Sequence, residues 1–223
     1  MTRPETRVWF LAAGVAMIAG YVDAIGFLRL GGLFVSFMSG NSTRLAVGLA
    51  SDRSVAAVAA GLIASFVAGV LVGTLVAAVA GAWRKPTVLL LVAVLLGMAA
   101  ATGADVTHGG TTALMAAAMG AANTLFQRDG EVRIGLTYMT GTLVKFGQHV
   151  AAALMGGAPF GWLPYLGLWC GLMGGATAGV QAYQRIGVVA SLWCAVGAVL
   201  ALAICAFRLG PVGSGRLRND GRA

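Results

Sequence analysis

Charged residues are scarce in this chain. They make up 10% of its 223 residues, whereas soluble domains carry about 25%. Hydrophobic residues make up 59%, and the mean hydropathy is +0.87. This composition lies far outside the range of soluble domains, so it excludes that class and indicates an integral membrane protein.

Acidic residues are the scarcer of the two charge signs. Lys and Arg number 15, against 7 Asp and Glu. Such an excess is common in nucleic-acid-binding proteins, but here the basic residues lie mostly in short gaps between apolar runs and form no dense basic stripe. Lipid headgroups and the orientation of membrane helices favour basic residues in such gaps. We therefore expect a lipid bilayer as the partner and exclude nucleic acid.

Cysteine is also rare. The three cysteines, Cys170, Cys194 and Cys205, all lie inside apolar runs. An odd number without framework spacing argues against disulfides and against a metal site, so we expect small buried hydrophobic residues. The sequence also contains no phosphate-binding loop, dinucleotide fingerprint or metal-ligand cluster. No cofactor and no metal is therefore predicted.

Long apolar runs are the dominant feature of the sequence. A membrane-spanning helix needs about 20 mainly apolar residues. Six runs are typical of such spans, whereas 33–51 and 135–156 carry polar residues and glycine in their middles. The eight runs are approximately 8–28, 33–51, 54–82, 86–104, 110–127, 135–156, 160–182 and 186–207.

The same order of motifs occurs in both halves of the chain. The motif at 37–41 is echoed at 138–142, and at the same offset Arg44 matches Lys145. Upstream of these motifs, Gly20 and Asp23 match Gly120 and Asn123. Downstream, small residues spaced by four also match, namely Gly61, Ser65, Gly69 and Gly73 with Gly167, Gly171, Gly175 and Gly179. The sequence therefore predicts repeats at 8–105 and 106–208, between an N-terminal arm (1–7) and a basic flexible tail (209–223).

The eight small residues are predicted to pack helices together. Residues four apart lie on one face of a helix, and small residues there let two backbones approach closely. We expect the two helices that carry these ladders to lie near the centre of the bundle and to pack against each other.

The predicted fold is an all-α, polytopic transmembrane helix bundle with six to eight membrane segments, in which each repeat contains one broken helix. If all eight segments cross, the two halves are parallel and the basic residues divide nearly evenly between the two sides. If 33–51 and 135–156 are re-entrant, six helices cross and the halves are inverted. The positive-inside rule favours the inverted arrangement, with both termini in the cytoplasm.

Ionisable residues inside membrane segments are costly, so each one requires a reason. Asp23, Arg44, Lys145 and His149 are the four candidates. Lys145 and His149 share a helix face with Thr142, because the three are spaced three and four residues apart. Asn41 and Arg44 share a face in the same way.

A glycine between hydroxyl or amide residues precedes each of these polar faces. Ser, Thr and Asn are good N-caps for a helix that restarts after a break, and such a helix end presents free N–H groups and a positive dipole. Equivalent breaks in two repeats are typical of a transport site. We predict substrate binding by Ser39, Gly40, Asn41, Arg44, Asn123, Thr140, Gly141, Thr142 and Lys145, with Asp23 and His149 in charge balance or proton relay.

The favoured function is transport of a small molecule or ion. Arg44, Lys145 and two helix N-termini would form a positive centre, partly neutralised by Asp23, that suits an anionic substrate. The alternative is a non-transporting scaffold or interaction protein, in which Asp23 pairs with Arg29 and Arg44 reaches outward to the membrane surface. An enzyme is not predicted, because Ser39 and His149 match no nucleophile elbow. The substrate, the coupling ion and the oligomeric state stay open, and a homo-oligomer is compatible with the sequence.

One stretch of the sequence resembles a known family. Residues 23–28 (Asp-Ala-Ile-Gly-Phe-Leu) followed by 32–41, which end in Met-Ser-Gly-Asn, resemble the signature of the YoaK-type family. The common family form has Thr-Gly-Asn where this chain has Ser39-Gly40-Asn41. The similarity covers about 8–207. It implies a multi-pass protein of the bacterial inner membrane that carries a domain of unknown function, and it implies no mechanism.

Overall fold

The computed structural model describes residues 6–103, 109–128, 131–132 and 139–210, without the side chains of 6–8, 127–128 and 131–132. The described chain forms helices and connecting segments, with one minimal antiparallel pair, β1 (Gln127–Arg128) and β2 (Glu131–Val132). The prediction of an all-α bundle is therefore confirmed. Its helices are α1 (Thr6–Arg29), α2 (Met38–Ser51), α3 (Arg53–Ala80), α4 (Arg84–Ala101), α5 (Gly110–Ala122), α6 (Met139–Leu154) and α7 (Leu163–Arg208).

Two glycines with positive φ interrupt the longest helical stretches. Gly187 (φ 74°, ψ 175°) divides α7 into α7a (163–186) and α7b (188–208). Gly81 (φ 53°) opens the 3-10 turn Gly81–Trp83 between α3 and α4. Glycine adopts positive φ without the strain that a Cβ would cause. Three helical stretches are long and apolar enough to cross a membrane, namely Trp9–Arg29, Arg53–Ala101 and Leu163–Arg208.

The closest helix contacts pair α1 with α7a. A Cβ added to Gly175 would collide with the backbone of Met17, and one added to Gly179 would collide with the backbone of Tyr21. Residue numbers rise together along both helices, so α1 and α7a are parallel. Their backbones touch without intervening side chains, which is the packing that small residues permit.

The pair α3 and α5 repeats this arrangement. Gly69 lies against the backbone of Ala117, and Gly73 lies against the backbone of Ala121. These contacts are related to those of α1 and α7a by constant offsets, 100 residues for the first helix and 106 for the ladder helix. Gly81 and Gly187 are related by the same offset of 106. The same contacts thus occur twice in the bundle.

The ladder helices do not pack as expected from the sequence. We expected them to contact each other, but α3 packs on α5 and the ladder part of α7 packs on α1. The reason is that the first helix of each half also carries small residues, with Gly20 against Leu172 and Gly120 against Phe66.

The ladder residues also differ among themselves in their surroundings. Gly171 approaches Ala13, and Ser65 is partly buried. The space beside Gly61 and Gly167 is open, so no packing contact is seen for these two glycines in the described part of the chain.

The remaining contacts fix the direction of the other helices. Gly14 lies beside Leu202, and the Tyr21 hydroxyl donates to the Ser191 carbonyl over 3.1 Å, so α7b is antiparallel to α1. The rings of Trp83 and Phe207 stack at 4.8 Å, while Gly97 lies near Trp193, so α4 is antiparallel to α7b. Since α4 and α5 pack side by side across a short connection, α5 and α3 run opposite to α1.

The bundle therefore has two ends, which we name after α1. The Trp9 end carries Trp9, Trp83, Tyr165 and Phe207, because Trp9 contacts the Tyr165 ring at 5.5 Å and Trp83 contacts Phe207. The Arg29 end carries Arg29, the turn at Gly187, the end of α4 and the start of α5.

The apolar core lies where α1, α4, α5 and α7b meet. Most of its members are Ala, Val and Leu, and Ile25, Leu96, Met115 and Leu192 are fully buried. The three cysteines are exposed on the outer surface of the bundle, so the expectation that they are buried was wrong. The buried positions of α7, which carries all three cysteines, are occupied by Gly, Ala, Val, Leu and Ser instead.

We predict that Gly175→Ala destabilises the bundle by about 1–3 kcal/mol, because the added methyl group would force α7a away from the backbone of α1. The matched control is Gly167→Ala on the same helix, where the space is open and Ala is the better helix former. Thermal unfolding in detergent measures both variants. Equal melting temperatures would contradict the backbone contact.

Candidate functional site

The chain between α1 and α2 folds back along α1 without forming a helix. After Arg29 it turns through Gly31 (φ 61°) and Gly32 (φ 106°), and residues 33–37 then run beside the last turns of α1. Val35 covers Gly26 so closely that a Cβ there would lie 2.7 Å from the Val35 Cγ1 atom. This segment is thus irregular backbone buried inside the protein.

Asp23 holds this segment by its backbone. The N–H groups of Val35 and Ser36 both donate to Asp23 Oδ1 over 2.8 Å. Val35 and Ser36 are 0% and 4% exposed, so water cannot satisfy these two donors and a protein acceptor is needed. Asp23 lies six residues before Arg29, about 9 Å from that end of α1 at 1.5 Å per residue.

Asn41 holds the same segment from the other side. Its Oδ1 atom accepts the Phe34 N–H over 3.0 Å, and its Nδ2 atom donates to the Phe34 carbonyl over 2.6 Å. The Asn41 side chain is fully buried. We call these four hydrogen bonds from Asp23 and Asn41 the clasp. Asp23, predicted for charge balance, and Asn41, predicted for substrate binding, are therefore both hydrogen-bonded to the backbone of the loop.

The prediction that a Ser or Asn side chain caps the start of α2 was wrong. The helix begins at Met38, so Phe37 stands at the N-cap position and makes no side-chain cap. Asn41 cannot cap the helix because its amide is used by Phe34. Gly40 has a packing role, since a Cβ there would meet the Phe37 ring.

Arg44 lies on the exposed side of α2. Its guanidinium group reaches back toward the Arg29 end, where a Cβ on Gly32 would lie 2.9 Å from its Nη2 atom. Ser39 and Ser42 are exposed beside it, and the Ser42 hydroxyl donates to the Met38 carbonyl over 2.8 Å. The exposed side of the first half of α2 is thus polar and cationic, whereas Val47 and Leu49 are exposed farther along it.

The second half places its matching residues at the end of α5 and on α6. Asn123 is buried, and its Nδ2 atom donates to the Met119 carbonyl over 2.9 Å. Thr142 is buried against the bundle, whereas Thr140 and Gly141 are exposed. Lys145 is exposed on α6.

His149 packs on an aromatic surface of α7a. Its ring stacks on the Tyr165 ring at 4.9 Å with an interplanar angle of 18°. One turn earlier, Phe146 meets the edge of Trp162 at 6.0 Å. The sequence did not identify Trp162 and Tyr165 as partners, although both precede the ladder as Ala56 and Ala59 do in the first half.

The structure does not gather the predicted positive centre into one site. α2 packs on α3, and α6 packs on α7, so Arg44 and Lys145 lie on two separate exposed helices. Within the described ranges, no three His, Cys, Asp or Glu side chains are grouped closely enough to hold a metal ion. The described part of the site thus offers a backbone clasp and two exposed cations.

Asp52 closes the turn between α2 and α3. Its Oδ1 atom accepts the Ser54 hydroxyl over 2.6 Å and the Ser54 N–H over 2.9 Å, which makes Asp52 the N-cap of α3. The Ser54 hydroxyl, followed by the N–H groups of Ser54 and Val55, holds the pKa of this carboxyl below its usual value. The turn anchors α2 to α3 at the Arg29 end.

The chain is similar to known membrane proteins over most of its length. The model of a family described as "Protein of unknown function (DUF1275)" matches residues 11–205. The chain is 34% identical over 204 residues to UPF0700 transmembrane protein RA0705 of Rhizobium meliloti, covering 89% of this chain and 86% of that protein. No solved structure matches the chain. The resemblance to a membrane family of unknown function is thereby confirmed.

We predict that Asp23→Ala destabilises the protein, because the buried N–H groups of Val35 and Ser36 lose their acceptor at about 1–3 kcal/mol each. Asp23→Asn keeps an acceptor oxygen at the same place and should cost less. Thermal unfolding gives the stability of both variants, and amide hydrogen exchange at 33–36 locates the loss. Unchanged exchange in Asp23→Ala would refute a structural role for the clasp.

A second prediction concerns the pH dependence of the Asp52 cap. A carboxyl whose pKa is lowered on folding stabilises the folded state above its unfolded pKa, near 3.8, and this contribution is lost as pH falls through the lower folded value. The parent should therefore exceed Asp52→Asn in melting temperature at neutral pH, and the difference should shrink below about pH 4. Parallel pH profiles would contradict the cap.

Proposed function

The chain belongs to the DUF1275 family, and from its geometry we propose that it is a small-molecule or ion transporter with its substrate site at α2 and α6. The observation that carries this proposal is the buried irregular backbone at 33–37. Irregular backbone at membrane depth is tolerated only where protein covers it or where it lines a cavity. Inside an apolar bundle, the side chains of Asp23 and Asn41 hydrogen-bond to this backbone.

The proposed architecture is an inverted repeat. The pair α1 and α7a runs opposite to the pair α5 and α3, and the two pairs share contacts at constant offsets. In this arrangement six helices cross the membrane, namely α1, α3, α4, α5, α7a and α7b. The helices α2 and α6 are re-entrant and enter from opposite ends of the bundle. Broken helices at equivalent positions of inverted repeats are the usual place of a transport site.

The substrate is proposed to be an anion. Arg44 and Lys145 occupy equivalent positions on α2 and α6, and both are exposed. Neither makes a hydrogen bond or ion pair with a residue of the described ranges. Because α2 enters from the Arg29 end and α6 from the Trp9 end, one cation would be accessible from each side of the membrane. An anion that approaches from either side would then meet one of these two cations first.

The orientation follows from the basic residues. In the described chain five of them lie at the Trp9 end, Arg7, Arg84, Lys85, Arg128 and Arg208, against Arg29, Arg53 and Arg185 at the other end. The positive-inside rule then gives cytoplasmic termini in a bacterial inner membrane.

A non-transporting scaffold is the second candidate. It is favoured by the engagement of Asp23 and Asn41 in the clasp and by the separation of α2 from α6. In a scaffold, Arg44 and Lys145 would serve only to reach lipid headgroups.

We predict that an anionic ligand raises the melting temperature of the detergent-purified protein, since a ligand at 100 times its Kd adds about 2.7 kcal/mol to the folded state. The panel would contain inorganic anions, mono- and dicarboxylates, and neutral and cationic metabolites. Lys145→Met and Arg44→Met should abolish the shift. The matched control is Arg185→Met, which removes the same charge from an exposed position outside α2 and α6.

The two candidates give different results in this experiment. A shift lost in Lys145→Met and kept in Arg185→Met supports the anion site. A panel that shifts neither the parent nor the variants, with Lys145→Met as stable as the parent, supports the scaffold.

A further inference from the structure

The two halves differ in how α2 and α6 lie on their ladder helices. In the first half the contact residues are small, and a Cβ on Gly48 would lie only 2.7 Å from the backbone nitrogen of Ala56. At the offsets of 101 and 106, these positions correspond to His149 and Trp162. Small residues let α2 lie directly on α3, whereas bulky rings hold α6 away from α7a.

This spacing opens a groove at the Trp9 end. The groove has a volume of about 390 Å³ and is lined by Phe146, Val150, Ala153, Leu154, Pro159 and Trp162. Large apolar side chains surround it on the outer surface, because Leu154, Met155 and Phe160 are 85%, 81% and 68% exposed. The groove is therefore open toward the medium that surrounds the bundle.

The lining offers no polar partner to an occupant. None of its side chains is charged, and the Trp162 indole N–H already donates to the Pro159 carbonyl over 2.9 Å. Lys145 is not part of the lining, and at about 100° per residue it lies roughly 80° to 180° around α6 from the four lining residues of that helix. An anionic headgroup has nothing to bind inside this groove, so the occupant that fits is an apolar chain.

We propose that the groove binds an acyl chain of a membrane lipid. Three observations select this occupant: the chain spans a membrane, the groove opens to its outer surface, and the lining from Phe146 to Leu154 runs about 12 Å along α6 at 1.5 Å per residue. Trp162 lies near the Trp9 end of the bundle, and tryptophan is enriched at the level of the lipid headgroups. The bound chain fills the space that the rings leave between α6 and α7a. This inference does not depend on the transport proposal.

The test uses the full chain in nanodiscs of phosphatidylethanolamine and phosphatidylglycerol, followed by native mass spectrometry. The parent should retain one phospholipid under activation that strips the others. Ala153→Phe places a ring in the groove and should lose this lipid. The matched control is Ala151→Phe, since Ala151 is exposed and lies about 160° around α6 from Ala153, and this variant should retain it.

Other outcomes would overturn the proposal. One is a parent that retains no lipid, and another is a lipid that Ala153→Phe retains as well as the parent does. A third is a parent that is dimeric while Ala153→Phe is monomeric, because the groove would then be a contact between two copies. If Ala153→Phe does not fold, Ala153→Leu fills the groove with a smaller side chain, and lipid retention equal to that of the parent would refute the site.

Discussion

Direct backbone contact between helices is the constraint on which the rest of this bundle depends. In a lipid environment, apolar side chains gain little from leaving lipid for protein, so helices associate through close packing. Gly69 and Gly73 bring α3 onto α5, and Gly175 and Gly179 bring α7a onto α1. Each first helix is thus tied to the other half of the chain. In the chain, α4 and α7b each come after a turn at a glycine, Gly81 and Gly187. The helices α2 and α6 pack on the outer side of the ladder helices.

The clasp satisfies a second constraint on the fold, which is that buried backbone polar groups need hydrogen-bond partners. A chain that reverses inside a membrane protein exposes N–H and C=O groups that lipid cannot bind, and each needs a partner within the protein. Asp23 and Asn41 supply these partners for residues 34–36. Both side chains are therefore hydrogen-bonded to the protein, whereas Arg44 and Lys145 are exposed. Transport of an anion and a purely structural role make opposite use of these two cations.

The two halves also differ at equivalent positions, and these differences change the surfaces they present. Asp23 corresponds to Asn123, and Gly48 corresponds to His149, so one half has a carboxyl group in its clasp and close packing, while the other has an amide and stacked rings. Close packing fixes α2 in place against α3. The wider spacing of α6 creates a groove that an apolar chain can fill. Two halves with the same contacts at their centre can therefore present different surfaces to the membrane.

The sequence by itself determined the class of the protein, the positions of most helices and the matching motifs, because hydrophobic run length and the spacing of small residues are local properties. It also singled out Asp23 and Asn41. It did not predict which helices the ladders would meet, that Asn41 would bind Phe34 instead of capping α2, or that Arg44 and Lys145 would lie apart. Those outcomes depend on which backbone donors become buried and which glycine faces meet. Only the tertiary structure decides them, since both are properties of residues distant in the chain.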